Sequence, residues 1–162
     1  MNATLARDIH PAMIVWRPLA REDIEEVVAL ERASHAAPWT AGNFLDALAA
    51  GYGMTVGALG RDIVAYGVLL FAPGEAQILN LTVAPEVRRR RIGRALLRRF
   101  VADAKARGAS QCFLEVRVSN RPAIDLYAAE GFAAIARRIG YYPAAGDARE
   151  DALVMRKSLS DA

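Results

Sequence analysis

VRRRRIGRALL, from Val87 to Leu97, is the stretch whose reading decides the fold. It follows an apolar run, ILNLTVAP (Ile78 to Pro85), and opens into a helical pattern. Ile92, Leu96, Phe100 and Ala104 recur at four-residue steps, and Ala95, Leu97 and Val101 widen the stripe. The order is therefore strand, basic turn with a glycine, helix. The first turn of a helix leaves backbone N–H groups unpaired and carries a partial positive charge. Gly93 permits close approach of a ligand, and the arginines add formal charge, so a phosphate-rich ligand suits this place.

Charge distribution agrees. The chain has 21 Lys+Arg against 18 Asp+Glu, a net +3. Residues 88 to 99 hold seven arginines and no acid; without them the balance falls to 14 against 18. Basicity thus belongs to one turn and its helix. Such a run is either a solvated face or an anion site. The GxxxxGK[ST] pattern of a nucleotide-triphosphate loop is missing. A nucleic-acid face would spread its cations and interleave aromatics, whereas only Phe100 is near. Coenzyme A, with a pyrophosphate and a ribose phosphate, fits a local anion site better.

At 162 residues, 54% of them hydrophobic, the chain is long enough for one well-buried domain. Its apolar runs fall short of the ~20 residues that span a bilayer. MNATLARDIHPAM lacks the apolar core of a secretory signal, which predicts a soluble cytoplasmic protein. A single cysteine, Cys112, excludes an internal disulfide and is expected to be buried. Two histidines and one cysteine, far apart, make no metal site.

Taken in order, residues 1–13 read as a loose leader and Ile14–Arg17 as a strand. Arg21–Ser34 form an amphipathic helix, and Thr40 caps a second that Gly51 stops. Met54–Leu59 and Ile63–Phe71 pair as a hairpin, and Glu75–Val83 add a third strand. After the basic turn the long helix runs to Gly108. Gln111–Val116 is a strand, and Asn120 caps a helix from Arg121 to Glu130. Phe132–Ile139 and Ala152–Lys157 are closing strands around a polar and aromatic loop, Gly140–Asp151. The pattern β-α-α-β-β-β-α-β-α-β-β predicts an α/β (α+β) fold with a mixed sheet and helices on its faces.

Several side chains are candidates for chemistry. Alternation puts Phe113, Glu115 and Arg117 on one face of a strand. Glu115 is either a solvated or Arg117-paired acid, or a general base. Tyr127 is either a packed core residue or a proton donor to a leaving group. Tyr141 and Tyr142 sit in the predicted loop, where aromatics line binding sites or cover a sheet edge. His10 and His35 have no acid at motif spacing and are assigned no chemistry. Trp39, beside Pro38, is read as a packing anchor.

Together, ERASHAAPWT, ILNLTVAP, RRRRIGRALL, FLEVRVSN, AIDLYAAEGF and YYPAAGDAREDALVM resemble the GNAT superfamily of N-acyltransferases in order and spacing. The nearest likeness is to the bacterial ribosomal-protein-alanine (RimI-type) group. It spans about Ile14 to Leu159, read as one acetyltransferase domain with a mixed, mostly antiparallel central sheet flanked by helices. The resemblance implies an acetyl-CoA-dependent N-acetyltransferase acting on a protein N-terminus, with a ribosomal-protein alanine as acceptor. It implies that the backbone of Leu81, Thr82 and Val83 holds the cofactor and polarises its thioester. Arg89, Arg90, Arg91, Ile92, Gly93 and Arg94 would hold the pyrophosphate, and Asn120 the pantetheine or the leaving end of the cofactor. Glu115 would accept the proton, Tyr127 donate one, and Tyr141 and Tyr142 border the peptide; no metal, membrane or nucleic acid is called for.

This chain departs from the family twice. Arg91 stands where the family's turn, [QR]xxGxG, has its first glycine, at a bend that disfavours a side chain. Gly140 replaces the asparagine of Asn-Tyr-Tyr-Pro. Three rival readings remain open on the residues: acetylation of lysine or a small amine, a non-catalytic acyl-CoA sensor, and an RNA-binding module.

Overall fold

The computed structural model describes residues 8–160. Its strands and helices follow the predicted order: β1 (Val15–Pro18), α1 (Ile24–Ser34), α2 (Ala41–Ala49), β2 (Gly53–Leu59), β3 (Asp62–Ala72), β4 (Glu75–Val83), α3 (Ile92–Ala106), β5 (Gln111–Arg117), α4 (Arg121–Ala129), β6 (Ala133–Pro143) and β7 (Arg149–Ser158). They build a seven-stranded sheet in the order β1-β2-β3-β4-β5-β7-β6. β4 and β5 run parallel, while β1–β2, β2–β3, β5–β7 and β6–β7 are antiparallel. The β4–β5 ladder extends from Glu75↔Gln111 to Ile78↔Leu114, so residues 79–83 of β4 lie beyond it.

The chain packs as two compact units. One comprises residues as far as Leu69 together with Asn80–Arg99; the other comprises Leu70–Leu79 and the residues from Phe100 onward. In the first, Ile14, Val64, Ala65, Ala84, Val87 and Ile92 form a buried cluster with Trp16, Leu30, Leu59 and Val83 packed against it. Gly57 of β2 is forced by proximity, because a β-carbon there would sit 2.5 Å from the Trp16 ring. In the second, Cys112, Leu114 and Val116 alternate into the interior along β5, as the period of two predicts.

Local signals in the sequence act as expected. Thr40 and Asn43 exchange backbone-to-side-chain hydrogen bonds at the start of α2, at 3.2 and 2.9 Å. Asn120 accepts the Ala123 N–H at 3.3 Å and caps α4. Part of the predicted leader, Pro11–Met13, forms a short 3-10 helix and Ile9 is buried; residues 1–7 fall outside the described residues. Residues 21–23 are a 3-10 turn rather than the first turn of the α-helix. Asp23 explains this: its carboxylate takes Arg17 at 2.6 and 2.8 Å and the Ala20 N–H at 2.7 Å, so the bend closes on its own side chain.

The predicted loop at Gly140–Asp151 is largely strand. β6 continues to Pro143 and β7 begins at Arg149, leaving only residues 144–148 between them. A register shift between Arg138 and Tyr142 lets the two strands pair again at Tyr142↔Glu150 and Pro143↔Arg149. Gly140 makes the shift possible with a φ of 58°. Side chains replace the missing ladder there: Asp151 accepts the Gly140 N–H at 2.8 Å, and Arg149 donates to the carbonyls of Gly140 and Tyr141 at 3.0 Å each.

The basic turn keeps a left-handed bend without its expected glycine. Arg89 and Arg91 adopt φ values of 61° and 62°. Its ends are anchored by Val87 and Ile92, both buried, and by Arg88, which donates to the Val83 carbonyl at 3.1 Å. Arg91→Gly should therefore change stability by less than about 1 kcal/mol, because relief of strain offsets added freedom in the unfolded chain. Arg91→Val should cost about 1–3 kcal/mol, since a β-branched residue resists this conformation. Urea denaturation of the two variants checks the contrast.

α1 buries an acid. Glu31 is 2% exposed, at the position where the helical stripe calls for an apolar side chain. It accepts hydrogen bonds from the Tyr66 hydroxyl, from Asn80 Nδ2 at 3.1 Å and from the Trp39 N–H at 3.1 Å. Burial, then the bond to Glu31, pushes the Tyr66 phenol far above its ordinary value. The network continues outward: Thr82 donates to Asn80 Oδ1 at 2.7 Å. Thr82 Oγ1 then accepts from His35 Nε2 at 2.8 Å. Glu31→Ala would orphan three donors at roughly 1–3 kcal/mol each. The variant should lose at least about 3 kcal/mol in urea denaturation, and Glu31→Gln, which keeps one acceptor oxygen, should lose less.

Candidate functional site

The predicted residues divide between the two units. In the first, the strand-to-helix turn borders a cavity of about 540 Å³. Arg89, Arg90, Arg91, Arg94 and Arg98 line it, with Ala95 and the Ile9–Pro11 segment, and no acid is among the lining residues. The buried Arg90 Nε–H has no hydrogen-bond partner. An orphaned donor among five guanidinium-bearing residues is what a phosphate group satisfies. Ile92 and Thr82 have buried side chains, one in the apolar cluster and one in the Glu31 network, so only their backbones can meet a ligand. Leu81 and Val83 are half-buried on the part of β4 beyond the β5 ladder.

The leader was not expected to contribute. Ile9, His10 and Pro11 nevertheless border the arginine cavity, held there by Ile9 burial and by His10 Nδ1, which accepts the Ala12 N–H at 3.1 Å. His35, assigned no chemistry from the sequence, is the outer end of the Glu31–Asn80–Thr82 network. Its place at i+4 from Glu31, one helical turn away, is the only signal in the sequence that points to it.

The second unit holds the acid–base candidates. Glu115 projects from β5 with a side chain only 12% exposed. Its partner is Arg138 of β6, whose Nε lies 2.9 Å from Oε1, and not Arg117 on its own strand. Arg117 pairs instead with Glu150 at 3.1 Å, donates to the Pro143 carbonyl at 2.9 Å, and lies 4.5 Å above the Tyr142 ring. Alternation puts Glu115 and Arg117 on one face, but β6, beyond β7 in the sheet, supplies the cation that Glu115 meets.

Tyr141 and Tyr142 stand on β6 rather than in a loop, their rings 5.0 Å apart and nearly perpendicular. Tyr141 hydrogen-bonds to Glu115, which pushes its phenol up. Burial, then the Glu115 charge, takes Tyr142 to about 12. Tyr127 is buried on α4, its ring 6.1 Å from Phe132 in an edge-on contact. Burial and then the neighbouring Tyr142 push its phenol to about 12 as well. The structure therefore brings Glu115, Tyr141, Tyr142 and Tyr127 into one group of interacting side chains. Cys112 is fully buried with its thiol pushed up to about 11 by burial, a packing residue as expected.

Among the described residues, no cluster of three or more His, Cys, Asp or Glu side chains could hold a metal ion, and no helix is long and apolar enough to cross a membrane.

Comparison with known proteins is consistent with this arrangement. The profile of the Acetyltransferase (GNAT) family matches residues 18–132. The [ribosomal protein bS18]-alanine N-acetyltransferase of Escherichia coli is 32% identical over 142 residues, covering 88% of this chain and 95% of the relative. The protein of the same name from Haemophilus ducreyi is 32% identical over 137 residues, 85% of this chain and 94% of its own. The crystal structure of the Escherichia coli ribosomal-protein-S18-alanine N-acetyltransferase superposes with a TM-score of 0.85, covering 92% of this chain and 96% of that one. Ard1 from Thermoplasma volcanium, 25% identical, superposes with a TM-score of 0.81 over 92% of this chain and 99% of its own. On the family profile and on these relatives, the chain belongs to the GNAT family of acetyltransferases, enzymes that take their acetyl group from acetyl-CoA.

Proposed function

We propose that this enzyme acetylates the free N-terminal α-amino group of a protein, with the N-terminal alanine of a small-subunit ribosomal protein as its acceptor. The observation that carries the reading is the 32% identity, across nearly the whole of both chains, to an enzyme named for that acceptor. Residues 14–159 act as one acetyltransferase domain, to both of whose units β3, β4 and α3 contribute. The enzyme works in the cytoplasm, where ribosomal proteins are made. An RNA-binding role is less well supported, because the arginines line one cavity instead of spreading over a face.

Arg89 to Arg94 hold the pyrophosphate of acetyl-CoA, a role supported by the orphaned Arg90 donor. Leu81, Thr82 and Val83 offer backbone groups to the pantetheine arm, and the side chain of Asn120, which caps α4 through Oδ1, has its amide N–H left to offer. The Val83 N–H steadies the oxyanion formed on attack, worth on the order of 3 kcal/mol. Tyr141 and Tyr142 border the peptide.

Glu115 accepts the proton that the acceptor ammonium must lose before attack. A free α-amino group has a pKa of ~7.7–8, against ~10.4 for lysine, so a carboxylate site handles an N-terminus more readily. The amine nitrogen bonds to the acetyl carbon, the carbon–sulfur bond breaks, and the sulfur leaves with the electron pair. Burial raises the Tyr127 phenol to about 12, above the ordinary thiol value of ~8.5, so it holds its proton against a thiolate. Tyr127 therefore acts mainly as a neutral hydrogen-bond donor to the developing thiolate, and the proton lost by the amine supplies the thiol.

The test of function is mass spectrometry of peptides incubated with enzyme and acetyl-CoA. Peptides with free N-terminal alanine, serine or methionine should gain one acetyl group, alanine fastest. The same peptides blocked at the N-terminus and carrying lysine should gain none. Modification of the blocked set would replace this reading with lysine acetylation.

The roles of two residues follow in the same assay. Glu115→Gln should lower kcat by ~100-fold or more while leaving acetyl-CoA affinity unchanged. Tyr127→Phe should lower kcat on the order of tenfold, the worth of one charge-assisted hydrogen bond. Because burial raises its pKa, Tyr127 stays protonated as the pH rises past the ordinary phenol range of ~10 and ionises only near 12. Wild-type kcat should accordingly show no alkaline fall from Tyr127 between about pH 8 and about pH 10.

A further inference from the structure

Glu115 already has a cation. Arg138 Nε lies 2.9 Å from its carboxylate, Tyr141 hydrogen-bonds to the same group, and the guanidinium stands 5.3 Å over the Tyr141 ring. Carboxylate, guanidinium and phenol thus form one closed set on β5 and β6. The acid is nearly enclosed, while the Arg138 side chain is 56% exposed. A carboxylate offers about four acceptor positions, so two remain for an amine or a bridging water without evicting Arg138.

This occupancy changes what the carboxylate does to an incoming amine. A lone, half-enclosed carboxylate attracts an ammonium and holds its proton on, which suits binding and opposes attack. A carboxylate paired with a guanidinium, which does not lose its proton in proteins, presents little net negative charge. The ammonium also feels direct repulsion from Arg138, and a like charge favours loss of its proton. The other charged or titratable groups facing Glu115 do not offset this. Tyr141 and Tyr142 on β6 and Tyr127 on α4 have raised phenols and stay neutral, and Arg117 on β5 is paired with Glu150 of β7 at 3.1 Å.

We infer that Arg138 is a positioning residue that holds Glu115 as a paired carboxylate, so that the acceptor site favours the neutral amine and does not trap the protonated one. The inference rests on the reading of Glu115 as the proton acceptor. Arg138 acts through Glu115, at the loss of the proton.

Binding and pH profiles test it on Arg138→Gln, Arg138→Met and Arg138→Lys, with Glu115→Gln in parallel. The ligands are one alanine-terminated peptide with its amine free and the same peptide N-acetylated. In both neutral variants, at pH 6, the free-amine peptide should bind about tenfold tighter relative to the acetylated one, the factor carried by one pKa unit of the amine. The acidic limb of kcat should move to higher pH by about one unit. Arg138→Lys, which keeps the charge, should retain the wild-type ratio and limb. The methionine variant serves if the glutamine variant does not fold. An unchanged affinity ratio and limb in the neutral variants, with Glu115→Gln inactive, would leave Arg138 a structural clamp and overturn the inference alone. Full activity of Glu115→Gln would instead remove the proton-acceptor reading on which it rests.

Discussion

A carboxylate taken out of water must be given donors, and Glu31 draws its donors from three directions. Tyr66 comes from β3, Asn80 from β4, and the Trp39 N–H from the segment before α2. Apolar packing would hold α1 near these elements; the directed bonds also set its rotation and height. β4 inherits that definition at its far end. Asn80 and Thr82 are bound through the network, the Ala84 N–H bonds to the Val64 carbonyl at 2.8 Å, and Arg88 reaches the Val83 carbonyl. The turn that carries the arginines starts from a strand end with little freedom.

The two sets of candidate residues treat charge in opposite ways. Five arginines and no acid line the cavity, which favours an anionic ligand there. In the second unit the acids near the tyrosines each have an arginine: Glu115 has Arg138, Glu150 has Arg117, and Asp151 has Arg137 at 2.7 Å. Glu150 and Asp151 also take backbone N–H groups, from Ser119 and Gly140, and both carboxyls are held below their usual range. The Arg137–Asp151 pair joins β6 to β7 where their ladder is irregular, and the other two pairs tie that hairpin to β5. Glu115 differs from them in accepting a tyrosine instead of a backbone N–H.

Most of the architecture was legible because it depends on local rules. The four-residue recurrence from Ile92 to Ala104 marked α3, Thr40 and Asn120 marked helix starts, and alternation marked the buried face of β5. Reading failed where the deciding partner is distant in sequence. Gly140, Pro143 and their polar neighbours have the composition of a loop, yet Arg149 and Asp151 restore strand pairing there. Arg117 looked like the partner of Glu115 because the two share a face, whereas Arg138, more than twenty residues away, takes the contact. His35 has no motif to announce it, since its partner Thr82 is brought to it only by the fold.

By itself the sequence determined the order of elements, the site of positive charge and the family, because periodicity, capping residues and motif spacing are carried by neighbours along the chain. Tertiary structure alone decided that Glu31 is a structural acid, that Glu115 rests on Arg138 and Tyr141, and that Arg89 shares the left-handed bend of the turn with Arg91. Those are choices among partners for a charge or a strained backbone. They depend on distance and burial in space, which residues far apart in the sequence acquire only when the chain is folded.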